Sequence, residues 1–227
     1  MKVSIVVALA MATLGTTPAE ADCGCGAWLL TDQVVEGKPY IVLAAACVGF
    51  SKQQPKLALV DAAGKRIPTT TVTTHDGHSN HGQLVFSPDR AIAPGAYQVT
   101  YDDRFELSRL KLTVVAAPSK AAPPTWQGTA RVLGQKQSEF GCGPAKSVFV
   151  EAGPDATLAF VELVDDARRR HTGYVPVQDG KLSIGHGMCG GPFALARGHR
   201  YTAQVTLLAP ARGTSSSSKS TTFTYSP

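Results

Sequence analysis

AAPSKAAPPT, residues 116–125, divides the chain into two lengths of about one small domain each, and its alanine and proline content is that of a linker. Upstream, YIVLAAACV (residues 40–48) is an apolar run bounded by Gly37-Lys38-Pro39 and Gly49. β-Branched residues lead it, so it reads as a buried strand rather than a helix. Short alternating segments follow at 56–60, 69–73 and 83–86. Residues 96–101 then place Tyr97, Val99 and Tyr101 on one face, and 107–115 closes the unit. Downstream of the linker the plan recurs at 127–133, 147–151, 157–164, 172–177, 181–184, 200–208 and 221–225. About seven strands per half, turn residues every eight to twelve positions and no long helical periodicity predict an all-β protein of two tandem β-sandwiches, 22–115 and 126–227.

The halves read as distant copies of one another. LVDAAGKR at 59–66 matches LVDDARRR at 163–170, each an apolar strand, an acidic turn entry and a basic turn exit, at an offset of 104. Tyr97, after Gly95, and Tyr201, after Gly198, stand 104 residues apart as well. Two anchors at one offset favour duplication.

Residues 1–21 carry the marks of an export signal: Met1-Lys2, an apolar stretch over 3–14, and Ala19-Glu20-Ala21 as a small-x-small cleavage site. That stretch is too short to span a bilayer comfortably, and no later segment approaches the ~20 apolar residues of a membrane-spanning helix. A periplasmic or extracellular location follows as the expectation. In that oxidising setting the five cysteines should pair. Cys142 and Cys189, the two in the second half, are expected to bond, and Cys47 to bond either Cys23 or Cys25, leaving one thiol over. Charge is uneven: residues 22–117 hold nine basic and nine acidic side chains, residues 118–227 twelve and seven. No aromatic residues interleave with the basic ones, which argues for a solvated face and against nucleic acid.

Residues 86–99, FSPDRAIAPGAYQV, preceded by LVDAAGKRIP at 59–68, resemble the bacterial immunoglobulin-like domains that include the CopC-like periplasmic copper carriers. The resemblance implies Ig-like sandwiches and places Tyr97 where its hydroxyl can tie a sandwich corner. Those carriers hold copper partly through a histidine at the mature N-terminus; that position here is Asp22.

Chemistry concentrates in two stretches. HDGHSNH, residues 75–81, sets His75, His78 and His81 at spacing three in a predicted loop, a donor set suited to Zn or Cu(II), against the ordinary reading of a solvated turn. HGMCGG, residues 186–191, offers soft ligands, but with Cys189 bonded it reads as a tight disulfide-anchored loop. Asp102-Asp103 could meet Ca²⁺, and Arg168-Arg169-Arg170-His171 an anion, although both fall in turns where charges are usual. Nucleophile-elbow, zinc-protease and phosphate-loop motifs are absent. The expectation is therefore an exported, non-catalytic tandem Ig-like module, structural or binding, with no catalytic residues and no obligate cofactor, whose partner is a protein, glycan or cell-surface ligand. The alternative is a periplasmic copper or zinc binder using His75, His78 and His81, and a hydrolase is the third class.

Overall fold

Alternation along strands sets two cores, one on each side of the linker. The computed structural model describes residues 24–47, 50, 55–101, 110–140 and 143–227. The stretch read as an export signal, Cys23, Asp102-Asp103 and Cys142 lie outside them.

The first half contains β1 (Ala27–Leu29), β2 (Gln33–Val35), β3 (Ile41–Ala45), β4 (Leu57–Asp61), β5 (Arg66–Asp76), β6 (Gly82–Pro88), β7 (Gly95–Tyr101) and β8 (Lys111–Val115), in the order β1-β3-β6-β5-β4-β7-β8-β2. The first strand region is split between layers. β1 pairs antiparallel with β3, whereas β2 runs parallel to β8. β5 also serves both layers, pairing with β4 through Arg66–Pro68 and with β6 from Thr69 on, with a register shift between Thr71 and Thr73. Such a bulge bends a strand enough to carry it across a sandwich. Ile41, Leu43, Leu84 and Phe86 from one layer meet Leu57, Leu59, Val99 and Leu112 from the other. Tyr97 donates its hydroxyl to the Ala93 carbonyl at 3.0 Å, closing the corner.

β9 (Val132–Phe140), β10 (Gly143–Glu151), β11 (Leu158–Asp165), β12 (Arg170–Gln178), β13 (Lys181–His186), β14 (Arg200–Ala209), β15 (Thr214–Ser215) and β16 (Lys219–Thr224) form the second half. Here β12 is the strand shared between layers, pairing with β11 along most of its length and with β13 at Val177 and Gln178. The two halves are tandem Ig-like sandwiches, as the strand pattern led us to expect.

The repeat is visible atom by atom in one turn. Asp61 pairs across the sheet with Tyr97 and takes the backbone N–H groups of Ala63 and Lys65 on its carboxylate; Asp165 pairs with Tyr201 and takes the N–H of Arg169. The left-handed position of the turn is Gly64 (φ 78°) in one copy and Arg168 (φ 60°) in the other. Tyr201 also closes a corner, its hydroxyl accepting the Ala196 N–H at 2.8 Å.

Two elements depart from expectation. The first strand of the second half runs over Val132–Phe140, not 127–133. It is an edge strand whose ladder is made with β10, so ladder hydrogen bonds rather than apolar alternation define its polar VLGQKQSEF sequence. The last strand, expected at 221–225, runs over Lys219–Thr224 and is preceded by a 3-10 turn (Pro210–Arg212) and the short β15.

Candidate functional site: the seam between the sandwiches

β3 is buried at all five positions. Ile41, Leu43 and Ala45 fill the core of their own sandwich, and the alternate residues Val42 and Ala44 face the second one. Val42 and Val85 form an apolar cluster with Leu158, against which Leu30, Tyr174 and Leu208 pack. The outer face of β1-β3-β6-β5 is thus docked on the outer face of β12-β11-β14. This is why the run is apolar at both parities over residues 41–46.

Strand register assembles one polar row on that docked face. Trp28 pairs with Ala44, Ala44 with Gln83, and Gln83 with His75. Gln83, 2% exposed, uses its amide as a strand would use its backbone: Nε2 donates to the Tyr174 carbonyl and Oε1 accepts the Tyr174 N–H, both at 2.7 Å. Next to it, His75 Nδ1 shares a 2.8 Å hydrogen bond with Thr172 Oγ1, and its ring lies 5.5 Å from Tyr174 and 6.0 Å from Phe160. His75 Nε2 is buried without a partner.

The two chemistry-rich stretches meet at the end of this row. His78 donates its N–H to the Gly191 carbonyl at 2.7 Å and accepts the Gly191 N–H at 3.3 Å, a two-bond bridge between domains. Glycine is required on both sides of it. A Cβ on Gly77 would run into the Gly191 carbonyl, and one on Gly190 would stand 2.6 Å from the His78 carbonyl. Ring centroids of His78 and His186 are 4.3 Å apart. His186 Nδ1 lies 2.9 Å from the Gly187 carbonyl and so carries the proton, which leaves Nε2 as an acceptor in the neutral ring.

The three histidines at spacing three therefore go three ways. His75 is the penultimate residue of β5 and faces Thr172, His78 meets His186 of the other domain, and His81, 5% exposed, lies 5.8 Å from the Trp28 ring with Nδ1 unpartnered. Among the described residues no three His, Cys, Asp or Glu side chains come together to hold a metal ion. Burial holds the imidazoles of His75, His81 and His186 below their usual range; Asp76 opposes this at His75, the Gly187 carbonyl opposes it at His186, and His78 and Lys146 reinforce it there.

Cys47 takes Cys25 of its two expected partners. Cys189 is disulfide-bonded as well; the pairing expected for it, with Cys142, falls outside the described residues. The arginine run occupies the β11–β12 turn, where Arg169 binds Asp165 at 2.7 Å, Arg170 binds Glu162, and Asp166 holds His199. Carboxylates thus claim two of the three guanidinium groups.

Two of the clefts formed by the described residues flank the seam. One, of about 510 Å³, lies by Tyr40, Glu36 and Lys38. The other, of about 320 Å³, lies between Trp28 and His81 on one wall and Ser147, Ser183 and His186 on the other. Sequence reasoning missed Trp28, Gln83, Thr172 and Tyr174, whose roles depend on which sheet face is docked.

No family model matches the chain, and no curated protein matches it. Among solved structures it aligns with a pullulanase from Anoxybacillus sp. LM18-11 complexed with maltotriose, at 16% identity over 81% of this chain and 24% of that one, with a TM-score of 0.30. A second pullulanase structure from the same source gives 13% identity, 83% and 24% coverage and 0.28. The chicken interferon gamma receptor alpha chain aligns at 11% identity over 91% of this chain and all of its own, with a TM-score of 0.25. The chain spans about a quarter of the pullulanases it matches. The strand order and the seam describe the molecule more closely than any of these likenesses: it is an all-β protein of two tandem Ig-like sandwiches, docked face to face.

Proposed function

We propose that the protein is an exported, non-catalytic tandem Ig-like binding module that presents its ligand site at the seam. The observation that supports this most is the way the chemistry-bearing stretches are used. His78 and Gly191 bridge the domains, Gln83 and His75 are spent on the other domain's backbone and hydroxyl, and Arg169 and Arg170 are paired with carboxylates. Groups committed in this way build a rigid scaffold, and clefts between rigid domains are where ligands settle. The apolar leader and the Cys25–Cys47 bond support an oxidising, exported setting.

The test is a thermal-unfolding screen of the mature, oxidised protein against oligosaccharides, peptides and nucleotides, with mass analysis of each compound after overnight incubation. A compound that raises Tm and is recovered intact is the expected result; at one hundred times Kd it adds about 2.7 kcal/mol. A compound consumed and released as product would overturn the reading. So would one Zn(II) or Cu(II) bound per chain at sub-micromolar affinity and lost in a His75→Ala, His78→Ala, His81→Ala variant.

A further inference from the structure

We infer that the smaller seam cleft is a binding site for a neutral saccharide, with Trp28 as its stacking platform; this rests on the binding-module reading above. Trp28 sits on β1 between Ala27 and Leu29, both of which pack into the core of the first sandwich and fix the strand. Its own side chain contributes to none of the buried clusters and is 41% exposed, yet the ring is held at the cleft against His81. An indole anchored in this way, with its own strand neighbours buried, offers a flat apolar surface to a ligand at little cost in order.

The facing wall belongs to the second sandwich. Val148 and Ile184 point inward from β10 and β13, so the alternate residues Ser147 and Ser183 point out, and register places Ser147 opposite Gly185 and Ser183 opposite Phe149. Ser147 and Ser183 supply two hydroxyls to the cleft, and His186 supplies an imidazole whose Nε2 is an acceptor. Gly185, Gly187, Gly190 and Gly191 keep this wall low.

Charge decides the ligand class. Among the described residues no Lys, Arg, Asp or Glu lines this cleft, and Lys146, near enough to act on His186, gives its ammonium to the Leu195 carbonyl, so an ionic ligand would shed its hydration without a counter-charge on the wall. The larger cleft differs in having Glu36 and Lys38 on its rim. An indole face, hydroxyls and an imidazole acceptor match a neutral molecule with an apolar CH face and hydroxyls around its edge. That is the chemistry of a sugar ring, and about 320 Å³ falls within the size range of small-molecule sites.

Trp28 and Trp126 are the chain's two tryptophans, and Trp126 is tied elsewhere, its indole N–H donating to the Ser217 carbonyl. A Trp126→Phe protein therefore reports from Trp28 alone. We would titrate it, full length and oxidised, with maltotriose, cellotriose and tri-N-acetylchitotriose, reading tryptophan emission and calorimetric heat. At least one should give a saturable change with Kd of about 1 mM or tighter. Trp28→Ala, measured by heat in the otherwise unaltered chain, should weaken it at least tenfold, and Ser183→Tyr, which fills the cleft from an exposed position, should abolish it. Saturation by none of the three, or binding indifferent to both substitutions, overturns the saccharide site. If the preceding screen then yields a peptide or nucleotide that is bound and recovered intact, the module reading stands without it; if compounds are consumed, the module reading falls as well.

Discussion

The two sandwiches share a strand plan, but β3 of the first and β10 of the second have different surroundings. β3 reads IVLAA and is buried on both faces; β10 reads GPAKSVFVE, with only Val148 and Val150 fully buried. Both lie second in an outer layer, after β1 and β9 respectively. The difference is the docked partner, which covers the outer face of β3 and leaves that of β10 to a cleft. A strand's hydrophobicity thus reports how many of its faces are covered, and a duplicated fold can place equivalent strands in unequal settings.

Charging the two outer faces in turn should separate the two strands most. Val85→Asp buries an unpaired carboxylate against Val42, Leu158 and Tyr174 and should cost about 3–5 kcal/mol in urea unfolding, whereas Ser183→Asp on the open face should cost under about 0.5. Next comes the polar row. Gln83→Leu leaves the Tyr174 N–H and carbonyl unpaired and should cost about 2–3 kcal/mol, read as a lower urea midpoint with an unchanged slope. Gly77→Ala forces apart the His78–Gly191 bridge and should cost about 1–3 kcal/mol.

Acid loads the docked face as well. His75, His81 and His186 all sit at the seam, and burial lowers each from its ordinary 6.5. The folded protein then binds fewer protons than the unfolded chain below that value. Their contribution is fully present above pH 6.5 and is lost as pH falls through it, at no more than about 1.4 kcal/mol per pH unit for each histidine. Tm should drop between pH 6.5 and 4.5, and less so in a His75→Gln variant. The smallest effect belongs to the repeated turn: Arg168→Gly should stabilise by about 0.5–1 kcal/mol and Gly64→Ala should destabilise by a similar amount, because each copy needs a left-handed residue there.

Much of the fold was legible because it depends on local pattern. The linker, the alternation at Tyr97, Val99 and Tyr101, and the 104-residue offset of the aspartate turns are all readable from residue spacing. The seam was not. His75, His78 and His81 look alike in sequence, yet a strand end, a bridge and a neighbouring indole send them to three partners in space. Gln83 looked like the polar position of a half-exposed strand, and only the docking of β12 on β6 makes it a buried clamp. The apolar run at 40–48 held the one signal of this, since a strand facing water on one side would not be apolar at both parities.

The docked face of β1-β3-β6-β5 makes the two sandwiches act as one body. Differential scanning calorimetry of the mature, oxidised protein and its Val85→Asp variant tests it most directly. The unaltered protein should melt in one cooperative transition that splits into two at lower temperature in the variant. Two independent transitions already present in the unaltered protein, with only the first half's moved by Val85→Asp, would contradict it.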